Sequence, residues 1–203
     1  MNDIQRSGYS DTKPGLRFNR VLVTTPATTA NLGPGFDTLA LAINLKLSLE
    51  ITVIEQADLS GPLIQLAGKE LKGLPTDKSN LVFRVMSDCL PSETLLERLR
   101  IKISSTIPVA KGLGSSAAAT LAAAWAAYKL KGIPVDDNAS LHKAAWLEGH
   151  SDNVAASLLG GLVISAPATD EKRVIAEKLA WPNTWKTIFA LPQYALSTQT
   201  SRS

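Results

Sequence analysis

The strictest alternation in the chain is LKLSLEITVIE, in which Leu45, Leu47, Leu49, Ile51 and Val53 exchange places with Lys46, Ser48, Glu50 and Thr52. A period of two sends successive side chains to opposite faces of an extended backbone, so this pattern predicts a half-buried strand. LRIKISST, residues 99–106, alternates in the same way and predicts another. FNRVLVTTPATTA, residues 18–30, reads as a short strand running into a turn at Pro26, because proline has no N–H for a ladder. LVISA, after Gly160 and Gly161, reads as a buried strand, and KTIFALP, residues 186–192, as a last one. Helical spacing appears at Leu81, Val82, Val85 and Met86, with Ser79 as the candidate cap. SSAAATLAAAWAAYKLKG, from Ser115, is built from strong helix formers and is apolar nearly all round, which predicts a helix inside the protein. A further helix is expected from Asp136 through Leu147.

Strands and helices are mixed without a steady β-α alternation, so the fold class is α+β and not a doubly wound sheet. A weak boundary at 167–173 divides a domain at 18–166 from a second unit at 174–203, and the polar start at 1–17 reads as a disordered extension without the apolar centre of a secretory signal. The net charge of +3 comes with no basic stripe of interleaved aromatics, which argues against a nucleic-acid partner. No apolar run approaches the roughly 18 residues that a membrane helix needs, so no membrane is involved and the cytoplasm is the expected compartment. Cys89 is the only cysteine, and His142 and His150 the only histidines, which leaves no disulfide framework, thiol metal site or histidine-rich centre. The oligomeric state is not set by these features; a homodimer is compatible with them.

Candidate chemistry centres on PVAKGLGSSAAAT, residues 108–120. A strand, a glycine-bearing turn and a helix opening at Ser115 would aim backbone N–H groups and a positive dipole end at one point, the arrangement that binds phosphate. Ser115 and Ser116 could cap the helix, and a hydroxyl there could reach a magnesium ion held by the same phosphates. The same letters also suit a plain connecting turn. The segment is neither a Walker loop nor a dinucleotide fingerprint, since no Gly-Lys-Ser/Thr follows and the third glycine is missing.

Two further segments carry polar groups among small residues. In PATTANLGPGFDTLALAI, residues 26–43, Asn31 and Asp37 bracket a glycine- and proline-bearing loop; they read either as ligand contacts or as ordinary loop residues. In LEGHSDNVAASLLGG, residues 147–161, Glu148, Asp152 and Asn153 could converge on a cation or a hydroxyl, whereas helix capping also explains Asp152 and a structural hydrogen bond explains His150. Ser140–Lys143 and Ser151–Asn153 match fragments of the acylase motifs S-x-x-K and S-D-N, but no K-T-G follows.

Taken together, PATTANLGPGFD, the P-x-x-x-GLGSSAA element and EGHSDNVAASLLGG resemble the homoserine kinases of the GHMP small-molecule kinase family, in order and spacing, from about Val21 to Arg202. The resemblance implies the GHMP kinase N-terminal domain, of the ribosomal protein S5 domain 2-like fold, followed by the start of a truncated ferredoxin-like C-terminal domain, since the family continues beyond Ser203. It implies ATP-dependent phosphorylation of the hydroxyl of L-homoserine, in threonine biosynthesis, with magnesium. ATP phosphates would be wrapped by Pro108, Val109, Ala110, Lys111, Gly112, Leu113, Gly114, Ser115, Ser116, Ala117 and Ala118, and adenine would lie near Asn80. Ser116 and Glu148 would hold magnesium. Asn31 and Asp37 would face the substrate, with Asp37 toward the ammonium group, and Arg202 would grip the carboxylate. Asn153 and Thr198 would sit at the reacting hydroxyl, Asn153 positioning it without deprotonating it. A sister kinase for a mevalonate-type alcohol, and a non-catalytic nucleotide-binding fragment, remain the alternatives.

Overall fold

The structure, a computed structural model, describes residues 18–55, 63–90, 92–133, 137–168, 173–182 and 184–191, together with the backbone of 7–9. Its strands are β1 (Ser7–Tyr9), β2 (Arg20–Ala30), β3 (Leu39–Val53), β4 (Ile64–Ala67), β5 (Leu99–Ser105), β6 (Leu162–Pro167) and β7 (Val174–Leu179). The helices are α1 (Leu81–Cys89), α2 (Glu93–Glu97), α3 (Ser115–Leu130), α4 (Asp137–Glu148) and α5 (Asp152–Leu159). The expected α+β class holds: all the described strands join one sheet, ordered β1-β2-β3-β5-β4, with β6 also on β3 and β7 on β6.

β3 is the organising strand. Its alternating half is buried at Leu47, Leu49, Ile51 and Val53, as the period requires. Along that half it pairs antiparallel with β5, from Leu47↔Ser105 to Val53↔Leu99, while its first residues pair with β6. β4 lies parallel to β5, and the chain between them returns through α1 and α2, the helical crossover that parallel neighbours need.

α3 is surrounded by β2, β3, α1, α4 and α5, and it borders two apolar clusters at once. Ala118, Ala119, Ala122, Trp125, Ala126 and Leu130 are among those that contribute to the cluster formed with β2, β3, β5 and α1, whereas Ala117 and Leu121 contribute to that of α4 and α5. The alanines let neighbouring backbones approach on every side, which is why no polar face was available to give the helix amphipathic character. Each Leu or Ile hidden in these clusters contributes about 1.5–3 kcal/mol of transfer free energy.

Several sequence expectations change. β2 does not turn at Pro26; its ladder with β3 continues to Ala30↔Ala40 and absorbs the proline by shifting register between Pro26 and Ala27. β1 reaches only Arg20–Leu22, so the missing N–H of Pro26 costs no second ladder. Ser7–Tyr9 is a strand where the sequence reading placed an extension, held by backbone pairing that side-chain patterns do not report. The boundary at 167–173 falls between two strands that pair antiparallel, β6 and β7, so Val174–Leu179 extends the same sheet and does not open a separate unit. LVISA is not buried throughout, because β6 is covered on one face only and Ile164 is exposed. Residues 185–191 form no strand; no described strand lies alongside to supply a ladder, and Trp185, Ile188 and Leu191 are exposed. The cap of α1 is Asn80, not Ser79. Thr198 and Arg202 lie outside the described residues.

Candidate functional site

The glycine segment leaves the end of β5 and enters α3 through a backbone that repeatedly turns left-handed. Ala110, Gly112 and Gly114 have φ of 56°, 69° and 61°. The segment is pinned at both ends: Ile107 N donates to Ser105 Oγ at 3.0 Å, and Thr28 N donates to Leu113 O at 3.1 Å. Gly114 is the N-cap of α3 and brings no side chain to its first turn. Among the described residues, the N–H groups of Gly112, Gly114, Ser115 and Ser116 donate to no protein acceptor. Alternating left-handed residues ahead of a helix turn such donors to a common point, where the positive end of a 16-residue helix adds to them. A Cβ at Gly114 would collide with Thr28 Oγ1. Any side chain there would therefore disturb packing as well as ligand access, and loss of binding in such a variant would not by itself diagnose a phosphate site.

Beside this turn stands Glu148, the last residue of α4, with its side chain 9% exposed. Ser116 Oγ donates to both carboxylate oxygens, at 2.8 and 2.9 Å, and Thr120 Oγ1 donates to Oε1 at 2.5 Å. His150 Nδ1 pairs with Asp152 Oδ1 at 3.0 Å, and its Nε2 is 4.0 Å from Glu148 Oε2. Asp152 Oδ1 also accepts from the backbone N–H of Asn153 at 2.7 Å and from Asn153 Nδ2 at 3.3 Å. Asn153 Oδ1 in turn accepts from Thr28 Oγ1 at 2.7 Å. The structural hydrogen bond expected of His150 is present. Lys143, the partner that S-x-x-K would require beside Ser140, instead pairs with Asp88 of α1.

A cavity of about 590 Å³ joins these parts, within the size range of small-molecule sites. Its lining includes the whole run from Pro108 to Ala117, with Asn31, Asn80, Glu148, His150 and Asn153; Ala118, just beyond, is buried in the core. Leu47, Leu71, Leu74, Pro75, Leu81, Val82 and Ile103 supply an apolar share, contributed by the strands and by the approach to α1.

Asn80 lines the cavity but has structural work: its Oδ1 accepts from Val82 N at 2.9 Å as the cap of α1, and its Nδ2 donates to Pro75 O at 2.7 Å. Asn31 also lines the cavity, while its Oδ1 accepts from Asp37 N at 2.8 Å and closes its own loop. Asn31 and Asp37 have φ of 59° and 53°, a conformation that Asn and Asp tolerate better than other side chains. Loop geometry alone thus accounts for both residue types, and Asp37 is not among the cavity-lining residues.

Two contacts were missed in the sequence. Thr120 had a readable signal, since Ser116 and Thr120 are one helical turn apart in a helix otherwise made of alanines and a few large apolar groups. Thr28 had none, because its partners Leu113 and Asn153 are remote in sequence. Ser116 and Glu148 offer a hydroxyl and a carboxylate side by side, an oxygen donor set that suits magnesium completed by phosphate oxygens. Among the described residues no group of three or more His, Cys, Asp or Glu side chains forms a metal cage of its own.

Residues 80–161 match the family described as GHMP kinases N terminal domain. The fold and the glycine turn agree with that match, and the chain carries a GHMP kinase N-terminal domain. Curated relatives similar to it are homoserine kinases. The homoserine kinase of Moorella thermoacetica is 41% identical over 182 residues, which covers 89% of this chain and 59% of the relative. The crystal structure of homoserine kinase from Cytophaga hutchinsonii superposes with a TM-score of 0.66 at 28% identity, covering 96% of this chain and 61% of that one. The mevalonate kinase of Methanococcus jannaschii, at 17% identity and a TM-score of 0.54 over 79% of this chain and 56% of that one, shares the fold. The chain thus spans less than two thirds of the length of these relatives. Among the described residues no helix is long and apolar enough to cross a membrane.

Proposed function

We propose that this chain binds ATP at the glycine turn and serves the phosphorylation of the L-homoserine hydroxyl to O-phospho-L-homoserine, a step of threonine biosynthesis. The observation that carries the reading is the set of uncommitted N–H groups at Gly112, Gly114, Ser115 and Ser116, opening into the same cavity as Glu148 and Asn153. Phosphoryl transfer asks mainly for alignment and for charge neutralisation, and this geometry supplies parts suited to both.

The amides and the positive end of α3 would hold phosphate oxygens. Ser116 and Glu148 would hold magnesium, which when bound neutralises charge on the phosphates. Thr120 also donates to Glu148, so the carboxylate keeps an anchor when Ser116 turns a lone pair toward a cation. The apolar lining from β3, β5 and the approach to α1 would take the adenine, with Asn80 at its edge. Asn153 would orient the reacting hydroxyl. Asp37 would pair with the ammonium group beside Asn31, and Thr198 and Arg202 would complete the substrate side, Arg202 by a two-pronged bond to the carboxylate.

An ADP-release assay offering homoserine, mevalonate or no acceptor tests the reading, run on this chain and on a version extended to the length of its relatives. ADP release that depends on homoserine is the expected result. Preference for mevalonate would move the assignment to a sister kinase, and nucleotide binding without turnover in both versions would leave only a binding fragment.

A further inference from the structure

Thr28 lies in the PATTANLGPGFD segment but has no role in the reading above, yet it touches both the glycine turn and the acceptor side of the cavity. It is fully buried (0% exposed) and follows the register shift in β2. Its N–H donates to Leu113 O at 3.1 Å, and its hydroxyl occupies the space that a Cβ on Gly114 would need. The same hydroxyl donates to Asn153 Oδ1 at 2.7 Å.

The direction of that bond is fixed by its surroundings. Asp152 Oδ1 already accepts from the backbone N–H of Asn153 at 2.7 Å, so as an acceptor it selects the Nδ2 end of the Asn153 amide, 3.3 Å away. Oδ1 is left facing Thr28, whose hydroxyl must then donate. Turning the amide over would set its oxygen against the carboxylate and waste the Thr28 donor. In the observed orientation one Nδ2 hydrogen goes to Asp152 and the other is left for a ligand in the cavity that Asn153 lines. An amide that donates orients a hydroxyl by its oxygen; an inverted one would accept and turn the hydroxyl hydrogen instead.

We propose that Thr28 is a positioning residue that couples the glycine turn to Asn153, so that the phosphate-binding backbone and the acceptor-side amide keep one spacing and the amide keeps its N–H toward the cavity. Its consequence for turnover rests on the kinase reading; the coupling itself does not.

The test compares Thr28→Val, which keeps the shape and removes the donor, with Thr28→Ser, which keeps the donor. The first readout needs no turnover: the side-chain amide signals of Asn153 in nitrogen-resolved NMR of this chain, identified by their disappearance in Asn153→Ala. Hydrogen exchange of that amide should rise roughly ten- to hundredfold in Thr28→Val, remain near wild type in Thr28→Ser, and leave the backbone amides of α3 unchanged. Should Thr28→Val fail to fold, Thr28→Ala, which crowds nothing, takes its place. Wild-type exchange in the variant lacking the donor overturns the proposal.

The second readout is kinetic, in whichever version of the chain turns over. kcat should fall roughly ten- to hundredfold in Thr28→Val while nucleotide Kd stays within about twofold, and Thr28→Val should add little once Asn153 is alanine. Independent, additive losses overturn the coupling. If no version phosphorylates any acceptor, the function reading has failed, and the exchange measurement still decides the role of Thr28.

Discussion

Glu148 owes its place to two hydroxyls on α3, Ser116 and Thr120, one turn apart. Of the two, Thr120 is buried and Ser116 faces solvent, so only Ser116 is free to exchange its bond for a cation. Thr120→Val should therefore weaken magnesium-dependent nucleotide binding by roughly ten- to hundredfold, the usual cost of losing a partner one shell out, and leave magnesium-free binding alone. Calorimetric titrations with and without the ion check this, and equal losses in both would contradict it. Asp37 needs a gentler change than alanine, because its φ of 53° is tolerated by Asn but strained in Ala. Asp37→Asn should raise the KM for homoserine about tenfold or more, the worth of a charge-assisted bond, with ATP affinity unchanged. A parallel loss of ATP affinity would remove Asp37 from the substrate side.

At the level of elements, Asn80 separates a structural role from a ligand role. As cap of α1 and donor to Pro75 O it helps to hold the entry to that helix with both ends of its amide. Asn80→Ala should lower stability by about 1–2 kcal/mol, read from the urea midpoint, and change nucleotide affinity only slightly. A large affinity loss at unchanged stability would show that Asn80 itself holds the adenine, beyond standing at its edge. The elements legible in the sequence were those whose pattern is local and whose surroundings are uniform. The alternation of β3 and the all-round apolar character of α3 needed no knowledge of their neighbours. β1, the bulge at Pro26 and the β6–β7 pairing were illegible, because backbone pairing and edge position leave little trace in side-chain type. The site followed the same rule. The glycine turn and Glu148 stood out by composition, whereas the Thr28–Asn153 bond joins residues that only the folded chain brings together.

Across the whole molecule, the seam between α1, α3 and α4 holds three described groups whose titration bears on stability in alkali. Burial pushes the Cys89 thiol above its ordinary 9.0 and the Tyr128 phenol above its ordinary 10.0. Lys143 is opposed by its own desolvation, but the hydrogen bond and charge of Asp88 outweigh this and raise it above 10.5. All three hold their protons longer folded than unfolded, so their contribution is intact below pH 9.0 and is lost as the pH rises through their folded-state values. The urea midpoint should hold up to about pH 9 and fall beyond it, and a midpoint that stays level or climbs past pH 10.5 would contradict the sign. The central claim remains the capture of a triphosphate by backbone donors at the head of α3. Amide-resolved NMR of the chain, titrated with ATP and magnesium, addresses it most directly. The largest shifts are expected at the N–H groups of Gly112, Gly114, Ser115 and Ser116; signals there that stay fixed, whether ATP binds elsewhere or not at all, would contradict the account.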